Sequence, residues 1–242
     1  NSVILHDVGI SCRRIVNGLK ELHIDMAQVE GIFISHEHSD HIAGLQQLLK
    51  RFDIPVYTKQ GTWREIQDKL VVPKNQLIEL TKGSLTLGNL IVEPFAVSHD
   101  AADPIGINVF SGKDKATVVT DTGIISDDIL HRIDDSTLLV LEANYDPHML
   151  RFGPYQPFLK QRVASDEGHL SNEMAAQALL MMKRPDFMQV ILAHRSENNN
   201  NAVLVTQTIG KMLVDGGVRI GPEMKLQHGQ PNEIVSMQSI KR

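Results

Sequence analysis

Seven consecutive residues, Ser35-His36-Glu37-His38-Ser39-Asp40-His41, constrain this chain more than any other stretch. Before them lies Val29 to Ile34, rich in β-branched and aromatic residues and read as a strand. After them, Ile42 to Phe52 reads as a helix with Leu45, Leu48, Leu49 and Phe52 on one face. On a turned segment between strand and helix, His36 and His38 can present two imidazoles to one cation. Asp40 and His41, on the turn into the helix, can reach a second. Imidazole nitrogen and carboxylate oxygen suit zinc and other borderline divalent ions, and chance seldom assembles such a run in a merely solvated loop.

The same arrangement recurs along the chain, because polar residues follow short apolar strands. Asp7 follows Ser2 to Leu5 and His6, His99 follows Phe95-Ala96-Val97-Ser98, and Asp121 follows a strand over Lys115 to Thr120. Glu142 ends Leu138 to Glu142, and His194 follows Val190 to Ala193. Strand ends and their loops are where a rigid layered scaffold carries its sites. Further helices are expected over Cys12 to Leu22, Thr62 to Leu70, Asn172 to Met182 and Ala202 to Leu213, and a strand over Ile54 to Tyr57. Short strands are expected from Gln76 to Val97, with Lys82-Gly83 and Gly88-Asn89 as turns. Ile105 to Ser111 should pair with Lys115 to Thr120 through Gly112-Lys113-Asp114. No repeat or linker-like stretch divides the chain, so residues 1–242 are read as one domain.

Composition narrows the classes. Hydrophobic residues make up 42% and charged residues 22%, ordinary for a globular chain. No apolar run approaches the roughly 20 residues of a membrane span, and no basic-then-hydrophobic leader opens the chain, so the expectation is cytoplasmic with no membrane partner. Cys12 is the single cysteine, which excludes an internal disulfide framework and suits a small apolar filler. A net charge of −5 disfavours a protein that coats nucleic acid nonspecifically. It does not disfavour a nuclease, because two divalent ions would set the field where a phosphodiester docks.

The histidine run resembles the signature of the metallo-β-lactamase superfamily. That resemblance implies an α/β fold, an αββα four-layer sandwich of two mixed sheets with helices outside and metals at one sheet edge. It also implies further ligands in a fixed order, and the chain supplies candidates in that order: His99, Asp121 and His194. By that carry-over His36, His38 and His99 hold one divalent ion, Asp40, His41 and His194 hold the second, and Asp121 bridges both. Asp7 would support the histidine loop from behind without touching metal. His6, His23, His131, His148 and His228 match no motif and are read as ordinary residues. Classical β-lactam-hydrolysing members lack a bridging carboxylate at this step, so fold does not set the substrate.

The stretches Leu141 to Asp146 and Ser165 to Asn172 resemble paired elements of ribonuclease Z-like enzymes, in which a glutamate and a histidine protonate a leaving oxygen. The resemblance therefore adds Glu142 and His169 to Asp40 and Asp121 as catalytic residues. The wider match, through Gly153-Pro154-Tyr155, Lys160-Gln161-Arg162, Gly168-His169-Leu170-Ser171-Asn172 and His194, is similar to the YycJ/WalJ-like group of 5′ to 3′ DNA exonucleases. It implies a DNA substrate and water activated between two zinc or manganese ions. Lys160, Arg162, Ser171 and Asn172 are candidate phosphate contacts, with a solvated basic patch the alternative reading of Lys160 and Arg162. That group opens with a Ser/Gly-rich strand that would precede this sequence, and it carries a histidine where this chain has Tyr145. Asn198 to Asn201 is read as a polar loop. Only 73 positions separate Asp121 from His194, too few for the inserted domain of β-CASP nucleases. Two rivals stay open: a hydrolase of a small thioester, lactone or cyclic phosphodiester, and a non-catalytic regulatory protein. Oligomeric state is open.

Overall fold

Short apolar strands separated by amphipathic helices favour parallel pairing, because a crossover helix returns the chain to the same end of the sheet. The computed structural model describes residues 2–81, 83–231 and 233–237. It divides into two compact units, residues 1–96 with 101–105 and residues 97–100 with 106–242. Each is α/β, with a sheet and helices, as the metallo-β-lactamase fold requires.

The first unit holds a four-stranded sheet in the order β1 (Val3–His6), β2 (Val29–Phe33), β3 (Val56–Thr58), β4 (Leu77–Glu79). All three pairings are parallel, so this sheet is not mixed as expected. Four helices lie between these strands: α1 (Cys12–Glu21), α2 (Ser39–Ile42), α3 (Leu45–Arg51) and α4 (Gln60–Lys69). Helix α1 buries Cys12, Val16 and Leu19 at near-helical spacing, and its first turn is capped by the Ser11 side chain. Ile32, Ile34, Leu45, Leu48, Val56 and Ile66 are fully buried in this core. Each such side chain contributes roughly 1.5–3 kcal/mol from burial. The helix expected over Ile42 to Phe52 is instead two. Its break is at Gly44, whose N–H donates to the Val8 carbonyl at 2.8 Å, and a Cβ there would come within 2.2 Å of the Ile10 carbonyl oxygen. A hairpin of β5 (Leu85–Leu87) and β6 (Leu90–Ala96) turns at Gly88, with φ +53°, and Asn89. Lys82, half of the other expected turn, lies outside the described residues.

In the second unit β7 (Ile105–Ser111) and β8 (Asp114–Val119) form the expected antiparallel hairpin. Then β9 (Leu138–Glu142), β10 (Met188–Ala193) and β11 (Met224–His228) extend it in the order β11-β10-β9-β8-β7, each new pairing parallel. The register sets Val119 opposite Leu141, Ala193 opposite Glu142 and Leu192 opposite His228. Asp121, Glu142 and His194 therefore emerge together at the carboxyl ends of three neighbouring strands. Around this sheet are α5 (Asp127–Ile133), α6 (Pro147–Phe152), α7 (Pro157–Val163), α8 (Asn172–Met181) and α9 (Ala202–Asp215). Helices α5, α6 and α7 and strand β11 were not expected from sequence. No helix among the described residues is long and apolar enough to cross a membrane.

Candidate metal centre

In the first unit the histidine run leaves β2 and turns into α2. Asp7, just past β1, organises it. Its Oδ1 accepts the Ser35 N–H at 2.8 Å, and its Oδ2 accepts both the Ser35 hydroxyl and His41 Nδ1 at 2.8 Å. Ser35 Oγ lies 2.9 Å from His36 Nδ1. Since the Ser35 proton goes to Asp7, that oxygen accepts from His36, and Nδ1 carries the proton on both His36 and His41. One carboxylate thus makes Nε2 the lone-pair nitrogen on two rings, the state a metal ligand needs. His36 Nε2 and His38 Nδ1 converge to 3.0 Å. Asp40 is the exposed member, its Oδ2 3.8 Å from His41 Nε2. Burial opposes ionisation of Asp7, but His6, 3.3 Å away, and the His41 hydrogen bond hold its carboxyl well below the usual range. His6 is therefore not the bystander that its lack of a motif suggested.

In the second unit Asp121 Oδ1 is ringed by His194 Nε2 at 3.4 Å, His99 Nε2 at 3.7 Å and His169 Nδ1 at 3.8 Å. His99 Nδ1 donates to the Gly168 carbonyl at 3.0 Å, which again leaves Nε2 as the acceptor nitrogen. Loops are fixed by the Gly123 N–H to the Ser98 carbonyl at 2.9 Å and the Ser98 N–H to Thr122 Oγ1 at 3.3 Å. Glu142, fully buried, accepts four hydrogen bonds. Its Oε1 takes His169 Nδ1 at 2.8 Å and His194 Nδ1 at 2.9 Å, and its Oε2 takes the N–H groups of Thr122 at 3.1 Å and Leu170 at 3.2 Å. Burial raises such a carboxyl, yet the two imidazole hydrogen bonds outweigh it and bring Glu142 far below the usual range. Ligand atoms of Asp121, Glu142, His169 and His194 all lie within 4.8 Å of one another. Both Glu142 oxygens are taken by N–H groups, two from imidazoles and two from backbone.

Residues 4–194 match the family described as beta-lactamase superfamily domain. The chain is 33% identical over 239 residues to Exodeoxyribonuclease YycJ of Bacillus anthracis, covering 98% of this chain and 90% of the relative. It is 31% identical over 242 residues to Exodeoxyribonuclease WalJ of Streptococcus pneumoniae serotype 2, again covering 98% and 90%. Among solved structures, the metallo-beta-lactamase fold protein YhfI from Bacillus subtilis superposes with a TM-score of 0.67 at 15% identity, over 93% of this chain and 84% of that one. This chain belongs to the metallo-β-lactamase superfamily. It is a metal-dependent hydrolase.

Of the four candidate phosphate contacts, Ser171 and Asn172 are buried, while Lys160 and Arg162 have partners at the surface. Asn172 is fully buried and exchanges side-chain hydrogen bonds with Asn200 at 2.8 and 3.1 Å, so it cannot reach a phosphate. Ser171 is buried and caps α8 through the Met174 N–H. Lys160 donates to the Arg151 carbonyl at 2.8 Å, and Arg162 pairs with Asp100. Tyr145 packs with Leu150 and Val163. The Asn198 to Asn201 run hides residues that sequence reasoning missed. Asn199 and Asn200 are buried, and Asn200 donates to the carbonyls of Ala143 at 3.0 Å and Asn144 at 3.1 Å. Asn144 in turn donates to the His194 carbonyl at 2.8 Å. This amide chain ties the ends of β9 and β10 together just beneath His194. Four consecutive asparagines before a helix were the available signal, since amides that are not needed for solubility often satisfy buried carbonyls.

Proposed function

We propose that this chain is a dinuclear metal-dependent exonuclease that degrades DNA in the 5′ to 3′ direction. The observation that carries the reading is Glu142: one buried, ionised carboxylate holding the Nδ1 atoms of both His169 and His194. In this assignment His36, His38 and His99 hold one divalent ion, Asp40, His41 and His194 the other, and Asp121 serves both. The donor set fits such ions. His36, His41, His99 and His194 each have Nδ1 committed to a hydrogen bond, so Nε2 is the coordinating nitrogen, and nitrogen with carboxylate oxygen suits zinc or manganese. Bound ions of this kind supply Lewis acidity toward a phosphoryl oxygen and make water more acidic.

The chain's own residues do the rest. Asp7 fixes the tautomers of His36 and His41. Glu142 fixes that of His194 and holds the Nδ1–H of His169, so that His169 in its imidazolium form gives the Nε2 proton to the departing 3′ oxygen and is left neutral, still protonated on Nδ1. The His169 side chain is 19% exposed, against 2% for His99, as a group that meets substrate should be. DNA as the substrate is supported by the two relatives named exodeoxyribonucleases, at 33% and 31% identity over nearly the whole chain.

The test is degradation of end-labelled single-stranded and duplex DNA and RNA, with and without a 5′ phosphate, in zinc or manganese. A panel of thioesters, lactones and cyclic phosphodiesters runs beside it. Processive loss of DNA from the 5′ end is the expected result. Turnover confined to the small esters would overturn the reading.

A further inference from the structure

We propose that the segment α6–α7 carries a stacking platform for the bases of an unpaired nucleic-acid strand, with Phe152 and Phe158 as the stacking side chains. This rests on the nuclease reading above. Both rings stand in solvent, 67% and 71% exposed. They are not needed for local packing, which Tyr145, Leu150 and Val163 supply with Tyr155 and Leu159 against them.

Charge selects the occupant. Between Asp146 and Asp166 the chain has Arg151, Lys160 and Arg162 and no carboxylate side chain, within a chain of net charge −5. The Arg151 guanidinium lies 5.3 Å over the Phe152 ring, and the His148 ring is 4.6 Å from it. An exposed aromatic ring with a guanidinium over it, on a segment without carboxylates, matches a base beside its phosphate. A second copy of this chain would bring the same cations face to face. Duplex DNA presents its phosphates but hides its base faces, so the exposed rings favour an unpaired strand.

The platform is bolted to the second unit's part of the site. The Val163 carbonyl accepts the His169 N–H at 3.0 Å, and Arg162 pairs with Asp100, the neighbour of His99. Gly168 lies so close beneath α7 that a Cβ would come within 2.3 Å of the Arg162 and Val163 carbonyl oxygens, and its own carbonyl holds His99. A strand lying on Phe152 and Phe158 is thereby held in fixed relation to His169.

The experiment measures anisotropy of a fluorescein-labelled, phosphorothioate-linked strand of about 12 nucleotides, unpaired or as a blunt duplex, across a salt series. Phe152→Ala with Phe158→Ala should weaken the unpaired strand about tenfold or more, at unchanged salt slope and unchanged melting temperature. The Phe152→Trp, Phe158→Trp pair should restore binding, and Arg151→Gln should instead flatten the salt slope by about 0.7. Equal affinity of the alanine pair and the native chain for the unpaired strand would overturn the proposal. So would a native dimer that the alanine pair dissolves without loss of strand affinity. Hydrolysis of bis(4-nitrophenyl) phosphate and DNA by the native chain tests the nuclease reading separately, so a failure there is not mistaken for a failure of stacking.

Discussion

Replacing Glu142 by glutamine exchanges one oxygen for an NH2 group and changes almost nothing in shape. Glu142 is fully buried and receives four N–H groups, two from imidazoles and two from backbone. Glutamine offers only one acceptor oxygen, so two of those donors must face an NH2. If the backbone pair is left facing it, each lost hydrogen bond to a charged group costs roughly 1.5–3 kcal/mol, or about 3–6 kcal/mol in stability together. If the NH2 turns to the imidazoles, His169 and His194 must shift their protons from Nδ1 to Nε2. His194 then loses its lone pair as a ligand, and loss of such outer support lowers metal affinity about 10- to 100-fold. His169 loses its orienting partner, and general acid catalysis contributes roughly 10²- to 10⁴-fold. The assays are thermal melting, chelator competition for bound zinc, and turnover on DNA beside bis(4-nitrophenyl) phosphate, whose leaving group needs no proton. DNA turnover should fall further than nitrophenyl turnover. A Glu142→Gln enzyme within about threefold of the native chain in metal affinity and in both turnovers would refute the reasoning.

Four further outcomes are expected. His169→Ala should keep its metal content by elemental analysis while losing about 10²-fold or more of DNA turnover. Asp7→Asn should release the tautomer of His41 and lower metal affinity roughly 10- to 100-fold in a chelator titration, with little change in substrate KM at saturating metal. Gly9→Ala sets a Cβ 1.5 Å from the Asp40 carbonyl oxygen, a clash with backbone that must displace α2, so its unfolding free energy in a denaturant titration should fall by at least the roughly 1–3 kcal/mol typical of overpacking. His228 has its pKa lowered by burial and by Arg195, so its charged form favours unfolding. Its share of stability is full above the ordinary histidine value and lost as pH falls below it, and His228→Gln should flatten the melting point between about pH 7 and 5.

Much of the candidate site could be proposed from sequence because metal ligation demands particular residue types at particular spacings. His36 to His41 could be read as a ligand run since few other tasks need three imidazoles and a carboxylate on one turn. The strands before them were legible because β-branched runs between turn signals have few alternatives. What stayed hidden was long-range or backbone in origin. Gly44 breaks the helix expected over Ile42 to Phe52 only because the Val8 and Ile10 carbonyls lie against it. Strand β11 is a partly polar run, Met224 to His228, that becomes a strand by pairing with β10. Asn172 and Asn200 look like solvent-facing amides until the fold places each opposite the other.

The backbone at Asp7, Asp121 and His194 shows how the strand ends are used. All three sit in the left-handed region, with φ of 57°, 55° and 52°. Asp and His are among the non-glycine residues that tolerate this region best, so their sequence allows the conformation but does not announce it. Each costs on the order of 1–3 kcal/mol, and three together rival the ~5–15 kcal/mol that separates folded from unfolded chains. The strain persists because neighbours hold it: the Asp7 N–H donates to the Phe33 carbonyl at 2.8 Å, and Asn144 grips the His194 carbonyl. A glycine at any of the three would relax the backbone and remove the functional group. At Asp121 and His194 the conformation is where this fold gives up stability to turn a polar side chain toward the proposed ions, and at Asp7 it turns the carboxylate onto Ser35 and His41. Bound metal would return about 1.4 kcal/mol for every tenfold excess over its dissociation constant.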